Sequence, residues 1–170
     1  VAASALRAPL PAEVKTWAAR REPVLLLDRI GNAHNLGALA RTAGFFGVNK
    51  VVLPNDPAAA LPGEAAFRVA EGGLEAVEVF RVPSLAKFCE ELKGAGYEVV
   101  GAATRGGRPE AKGREPKPVA LVLGNEEHGL APEVAAACSR VVTIPGSGKV
   151  ESLNVSVAGA VLMWELFGRR

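Results

Sequence analysis

The sequence lacks glutamine altogether, has few aromatic residues and contains no long apolar run. Its longest nearly apolar stretch, from Val155 to Phe167, is interrupted by Ser156 and Glu165. It is shorter than the roughly 20 residues that a transmembrane helix needs, and it lies at the wrong end of the chain for a signal peptide. We therefore expect no membrane association. The apolar and charged fractions, 49% and 22%, are typical of a globular domain.

Cysteine is also scarce, and this excludes two kinds of scaffold. Cys89 and Cys138 are the only two cysteines, and neither belongs to a CxxC or Cys/His cluster. The pattern therefore supports neither a zinc site nor a disulfide framework, and we expect no metal. A reducing cytoplasm is the compartment that this cysteine usage favours. The net charge of +2 permits a nucleic-acid partner without indicating one.

Asparagine is scarce as well, and its placement is informative. Four of the six asparagines, Asn32, Asn35, Asn125 and Asn154, fall in three short segments that are far apart in the chain. In a sequence with so few side-chain amides, this concentration indicates that the three segments have a chemical task.

Short apolar runs and helical periodicities alternate along the chain. The strands are predicted at Val24–Asp28, Lys50–Leu53, Ala76–Val82, Tyr97–Ala102, Val119–Leu123 and Val141–Ile144. The helices are predicted at Pro11–Arg21, Leu36–Phe46, Ala65–Glu71, Leu85–Lys93, Pro132–Cys138 and Leu153–Phe167. This alternation predicts an α/β fold, a mostly parallel sheet flanked by helices. We expect residues 1–22 to be a lead-in segment or linker and residues 23–170 to be a single domain.

Three predicted loops combine polar residues with a position after a strand. They are Arg29–Asn35, Gly124–Gly129 and Pro145–Asn154. In open parallel sheets, ligands bind beyond the carboxyl ends of the strands. We therefore expect one site that is built from three distant segments.

Each of these segments also has a structural interpretation. Asn35 and Ser152 are candidate caps of the helices that follow them, and Arg41 is a candidate solvated helix residue. Arg41 does not belong to the apolar stripe of its helix, so it can face a ligand instead of the core. The run GSGK at 146–149 lacks the earlier glycine and the following Ser or Thr of a phosphate loop, and no GxGxxG, HExxH or GxSxG motif occurs.

Taken together, the three segments resemble the motifs of the SpoU/TrmH branch of the SPOUT RNA methyltransferases. The first is similar to N-x-x-N-x-G-x-x-x-R-T-A, matched by Asn32, Asn35, Gly37, Arg41, Thr42 and Ala43. The second is similar to L-G-x-E-x-x-G-L, matched by Leu123, Gly124, Glu126, Gly129 and Leu130. The third is similar to I-P-M-x-G-x-x-x-S-L-N-V-S, matched by Ile144, Pro145, Gly148, Ser152, Leu153, Asn154, Val155 and Ser156. Gly146 departs from this pattern, because the family usually has Met there.

The resemblance implies methyl transfer from S-adenosylmethionine to a ribose 2′-hydroxyl of tRNA or rRNA. It also implies a C-terminal trefoil knot, a rare exception to the rule against knots, and a homodimer. Because Leu153–Phe167 is apolar on nearly every side, we expect the dimer to pack through this last helix together with the first long helix. The residues that it nominates for catalysis are Arg41, Asn35, Glu126, Ser152 and Asn154. Those that it nominates for cofactor binding are Leu123, Gly124, Asn125, Gly129, Ile144, Pro145, Gly146 and Leu153.

The chemistry of such a reaction constrains these roles. The sulfonium is already activated, whereas a 2′-hydroxyl is a poor nucleophile that must lose its proton. With a pKa above ~12, Arg41 is an awkward proton acceptor. We therefore expect Arg41 to stabilise the phosphate and the alkoxide, and a phosphate oxygen or Glu126 to take the proton.

Two other functions stay open at this level. One is an RNA-binding protein of the same fold without catalysis, and the other is a different nucleotide-binding α/β domain. The basic segment Arg105–Lys117 is either close to bound RNA or a solvated loop. The sequence does not identify the RNA, and we expect its selection to reside in a segment outside this chain.

Overall fold

A computed structural model describes residues 6–63, 72–73, 75–104, 107, 109 and 116–168. Within them, six strands form one sheet: β1 Val24–Asp28, β2 Lys50–Pro54, β3 Glu78–Val82, β4 Glu98–Ala102, β5 Val119–Gly124 and β6 Arg140–Val142. The helices are α1 Pro11–Ala19, α2 Ala33–Phe45, α3 Leu85–Gly94, α4 Pro132–Ala137 and α5 Val155–Met163, which continues as a π-helical turn over Trp164–Gly168.

The strand order is β3-β2-β1-β5-β4-β6, and each pairing between these strands is parallel. The predicted parallel sheet is therefore confirmed. Since the strands point the same way, their carboxyl ends share one edge of the sheet. From β1 the chain first builds outward to β2 and β3, and it then crosses to the other side of β1, where β5 lies next to β1, β4 beyond β5, and β6 at the edge. Such a switch in direction opens a crevice at the strand ends, where loops can hold a ligand.

The alternation of side chains along the central strands produces two apolar cores. In β1, Leu25 and Leu27 face the core under α2 and α5, whereas Val24 and Leu26 face the core under α1, α3 and α4. All four side chains are buried, as expected for a strand that is covered on both faces. Trp17 of α1 is buried in the second core, so the helix within the predicted lead-in packs against the sheet.

The helix ends differ from the predicted ones, and capping explains the differences. Asn32, not Asn35, caps α2, because its Oδ1 accepts hydrogen bonds from the backbone N–H groups of His34 and Asn35. The helix therefore begins at Ala33, three residues before the predicted start. Asn154, not Ser152, caps α5 by accepting from the Ser156 N–H.

Some predictions concern residues outside the described ones. The predicted helix Ala65–Glu71 lies outside them, and so do most residues of the basic segment Arg105–Lys117. The knot depends on how the chain after β6 passes the segment between β4 and β5, and it stays a prediction because much of that segment is not described. Among the described residues, no helix has both the length and the apolar character to cross a membrane.

Candidate functional site

A cleft of about 510 Å³ opens at the carboxyl ends of β4, β5 and β6. The segments that line it are 102–104 after β4, 123–126 with Gly129 after β5, and 142–148 with 150–153 after β6. Val155, Ala158 and Leu162 of α5 complete the wall. The convergence of the second and third motif segments at one sheet edge, which the sequence predicts, is thus present in the structure.

All eight residues nominated for cofactor binding line this cleft: Leu123, Gly124, Asn125, Gly129, Ile144, Pro145, Gly146 and Leu153. Gly146 has no heavy atom within 4 Å of the position that a Cβ would take, so the missing Met side chain leaves open space there. The apolar side chains, chiefly Leu123, Ile144 and Leu153, together with backbone N–H and C=O groups, suit a ligand that has a flat apolar ring and polar edges.

The β5 loop is a tight turn that crosses back over its own strand. Asn125 and Gly129 exchange two backbone hydrogen bonds, of 3.0 and 2.9 Å, and Gly129 has a φ of 70°. A Cβ on Gly124 would collide with the backbone of Gly129 and Leu130, so glycine is required by close approach. The Asn125 side chain fixes the turn, because its Oδ1 accepts from the N–H groups of Glu127 and His128.

Glu126 joins this loop to the first motif segment. Its Oε1 accepts a 2.9 Å hydrogen bond from the Gly31 N–H. Its Oε2 accepts from the Asn32 N–H at 2.9 Å and from the Asn35 side-chain amide at 3.0 Å. One carboxylate on the β5 loop therefore fixes the loop after β1 and orients Asn35.

The same hydrogen bonds determine the ionisation of Glu126. Partial burial disfavours the charged form, but the bonds from Gly31, Asn35 and Asn32 outweigh it and hold the pKa of Glu126 below its ordinary value. A carboxylate with a lowered pKa and three donors already bound is a weak base. The geometry therefore disfavours Glu126 as the proton acceptor and favours a positioning role.

Ser152 and Asn154 occupy different places. Ser152 is exposed and lines the cleft. Asn154 is not among the lining residues, and its Oδ1 accepts from both the N–H and the Oγ of Ser156 at the start of α5. The two polar residues of the third motif thus have different tasks, one toward the cleft and one toward the helix.

Arg41 is exposed in the middle of α2, as its position off the apolar stripe predicts. Neither Arg41 nor Asn35 belongs to the cleft lining. Six residues separate them, so Arg41 lies about 9 Å further along the helix axis. Asn35 is tied to the cleft through Glu126, whereas Arg41 is on the part of α2 that leads to the exposed Phe45.

Several residues that shape the site were missed in the sequence. Ala102, Ala103 and Thr104 line the cleft because β4 is the neighbour of β5, an adjacency that the sequence order does not reveal. The polar Thr104 directly after a predicted strand was the available signal. No role was predicted for Asp28, the last residue of β1, or for Arg29, the first residue of the predicted loop Arg29–Asn35.

A large apolar surface lies on the side of α5 that faces away from the cleft. Phe45 of α2 is 82% exposed, and Val157, Val161 and Trp164 are 49%, 42% and 48% exposed. We call these four residues the α2/α5 face. Large apolar side chains clustered on a surface indicate a contact with another molecule.

A parallel sheet whose strand-end loops enclose a cleft defines a ligand-binding α/β protein. The sequences of these loops identify the family within that class. The chain belongs to the SpoU rRNA methylase family, whose model matches residues 22–164. The 23S rRNA (guanosine-2′-O-)-methyltransferase RlmB of Nitrosomonas europaea is 40% identical over 148 residues, which cover 86% of this chain and 56% of the relative.

Solved structures of the same family have the same fold. A putative RNA methyltransferase of the TrmH family from Porphyromonas gingivalis matches with a TM-score of 0.77 and 33% identity, over 88% of this chain and 60% of that one. An AdoMet-bound rRNA methyltransferase from Sinorhizobium meliloti matches with a TM-score of 0.76 and 28% identity, over 85% and 55%. The chain thus spans little more than half the length of these relatives.

Proposed function

We propose that the protein transfers a methyl group from S-adenosylmethionine to a ribose 2′-hydroxyl of tRNA or rRNA. The observation that carries this proposal is the cleft at the strand ends, where two motif segments meet and Glu126 holds the third. Membership of the SpoU family and the AdoMet-bound relative support the same activity. The catalytic domain in this proposal is residues 23–170, and the protein works in the cytoplasm together with its RNA.

The cleft fits the cofactor in size and chemistry. Its volume of about 510 Å³ is within the ordinary range for small-molecule sites. Leu123, Ile144 and Leu153 offer an apolar surface for the adenine, and Glu126 and Glu151 give the cleft a negative side for the positively charged sulfonium and ammonium groups. When bound, S-adenosylmethionine supplies an activated methyl group on sulfur.

The protein must then orient the ribose and stabilise its oxygen as the proton leaves. In this proposal Ser152 contacts the ribose-phosphate from the cleft, and Asn35, held by Glu126, contacts it from the first turn of α2. Arg41 binds phosphate and stabilises the developing alkoxide with its fork of N–H donors. A phosphate oxygen of the RNA takes the proton, because Glu126 is already occupied by three donors.

The α2/α5 face supports a homodimer as the active form. Arg41 lies one helical turn before Phe45, so the two residues are on the same side of α2. Pairing two chains through this face would bring Arg41 close to the partner subunit. We propose that Arg41 serves the cleft of the partner subunit, which agrees with its absence from the cleft of its own chain.

Two measurements test the activity. Calorimetry with S-adenosylmethionine and with ATP identifies the ligand, and we expect binding of S-adenosylmethionine alone. Incubation of total tRNA and rRNA with methyl-labelled cofactor, followed by mapping of the modified nucleotide, identifies the substrate. RNA binding without methyl transfer would instead support the non-catalytic alternative, and binding of ATP alone would support the nucleotide-binding one.

A further inference from the structure

Arg29 has a backbone conformation that arginine rarely adopts. Its φ is 62°, and the only other non-glycine residue with a positive φ in the described part of the chain is Arg21, at 56°. Side chains with a Cβ are strained in this left-handed region, whereas glycine adopts it freely. A residue that is retained in such a conformation needs a compensating interaction.

The Arg29 side chain makes that interaction with the cleft. Its Nε donates to Oδ1 of Asp28 at 3.1 Å, and its Nη2 donates to the carbonyl oxygen of Gly129 at 3.2 Å. The backbone carbonyl of Arg29 accepts a 2.7 Å hydrogen bond from the Asn125 side-chain amide. Arg29 therefore contacts both ends of the turn that lines the cleft, and its side chain is 22% exposed.

Asp28, the last residue of β1, binds both Arg29 and the segment that follows the turn. The residue is 2% exposed, and its Oδ2 accepts a 2.7 Å hydrogen bond from the Ala131 N–H, just after the turn. The pair thus fixes Asn125, Gly129 and Ala131 against the end of β1. Without it, the turn would keep its own hydrogen bonds and those of Glu126, but it would lose the bonds that join Gly129 and Ala131 to the end of β1.

From these contacts we infer that Arg29 is a positioning residue for cofactor binding, which holds the 124–129 turn in the shape that receives S-adenosylmethionine. It does not contact the reacting atoms. The inference rests on the proposed function for the identity of the ligand. The link itself, between the Arg29 guanidinium and the Gly129 carbonyl, is independent of that identity.

The test compares Asp28→Asn with the double variant Asp28→Asn/Arg29→Gly. Glycine relieves the backbone strain, and the asparagine keeps an acceptor for the Ala131 N–H without leaving a buried unpaired charge. The two variants therefore differ mainly in the guanidinium. We expect the double variant to bind S-adenosylmethionine about tenfold more weakly, the loss associated with one hydrogen bond to a charged group.

Two further readouts separate positioning from general destabilisation. In the double variant the Asn125 and Gly129 amides should exchange with deuterium faster than in Asp28→Asn, while exchange in β1 and β2 is unchanged. The cofactor KM should rise while kcat at saturating cofactor is retained. Asp28→Asn/Arg29→Lys should recover part of the affinity, because an ammonium can donate to the Gly129 carbonyl but lacks the second donor that Arg29 directs at residue 28.

Arg21→Gly is the matched control, since it relieves the same kind of strain at an exposed position outside the cleft. Its cofactor affinity and its exchange at Asn125 and Gly129 should equal those of the wild type. Equal affinity and equal exchange in Asp28→Asn and the double variant would overturn the inference. Failure of the wild type to bind S-adenosylmethionine would overturn the proposed function instead. Deuterium exchange at Asn125 and Gly129, measured without cofactor, would still test the link between the Arg29 guanidinium and the Gly129 carbonyl.

Discussion

Glu126 accepts three hydrogen bonds, and this occupancy determines what its carboxylate can do. Glutamine has one oxygen and one NH₂ group, so in Glu126→Gln at least one donor of the loop after β1 would face another donor. We expect a loss of about 10- to 100-fold in kcat/KM, the range for hydrogen bonds to a charged group. Single-turnover methylation of a mapped RNA measures this loss, and an unchanged rate would contradict the positioning role of Glu126.

The pH dependence tests the same residue separately. Because the pKa of Glu126 is lowered, its carboxylate is charged above the ordinary glutamate pKa near ~4.3, and the hydrogen bonds to the charged form are fully present there. Their stabilising contribution is lost only as the pH falls through the lowered pKa. Between pH 6 and 9, the methylation rates of the wild type and of Glu126→Gln should therefore depend on pH in the same way. No inflection should be present in the wild-type profile and absent from that of the variant. Such an inflection would restore Glu126 as a candidate proton acceptor.

Arg41 gives a second prediction at this scale. Arg41→Ala should abolish most methyl transfer while the affinity for S-adenosylmethionine stays close to wild type, because Arg41 does not line the cleft. Arg41→Lys should rescue poorly, since it returns the charge without the fork. The melting temperature should change little for an exposed residue. A parallel loss of cofactor affinity and melting temperature would assign Arg41 to structure.

The residues of the cleft can be predicted from the sequence better than their hydrogen-bond partners can. The glycine-rich loops follow buried strands, so their position at one sheet edge could be predicted. The choice between Asn32 and Asn35 as helix cap could not, because both are good capping residues within one turn. What decides it is Glu126, which is distant in sequence and binds the Asn35 amide.

At the scale of secondary structure elements, the segment that leads into α5 has two polar residues with different roles: Asn154 caps the helix, and Ser152 lines the cleft. Asn154→Ala removes the acceptor for the Ser156 N–H and should cost about 1 kcal/mol of stability. Ser152→Ala should leave the unfolding free energy unchanged and lower the methylation rate, because Ser152 faces the cleft. Denaturant unfolding and single-turnover kinetics on both variants measure the contrast. Equal destabilisation by the two substitutions would contradict the division of roles.

The central strands β1 and β5 were predicted more accurately than the start of the last helix for a physical reason. β1 and β5 are buried on both faces, so their apolar runs coincide with the strands. The last helix was predicted to begin at Leu153, where its apolar sequence begins. The observed helix begins two residues later, at Val155, because Asn154 is its cap. Apolar character alone does not fix a helix boundary.

For the whole molecule, the α2/α5 face predicts the state of assembly. A charge in the middle of this face, in Val161→Glu, should yield monomers in light scattering and should lower methyl transfer. Leu10→Glu is the matched control, because Leu10 is 62% exposed on a different part of the surface. A wild-type protein that is monomeric at micromolar concentration would contradict the proposed dimer.

Mixed dimers test whether the two chains share their sites. In a heterodimer of Arg41→Ala and Ser152→Ala, one cleft should carry both defects and the other neither, if Arg41 serves the partner subunit. Mixing the two inactive variants should then restore up to about half of the activity per heterodimer. Differently tagged chains, purified as heterodimers and assayed for labelled-methyl transfer, provide the measurement. Continued inactivity would place Arg41 in the cleft of its own chain.

The position of β1 in the sheet has a consequence for the synthesis of the chain. β1 is made before β5, which pairs with it from Val24 to Asp28 and follows roughly a hundred residues later. At the usual ~5–20 residues per second, the ribosome takes on the order of 5–20 s to supply that strand. During this interval one edge of an apolar strand has no partner, a condition that favours aggregation. Chains that stop before Val119 lack β5 and should therefore accumulate in inclusion bodies or bind chaperones.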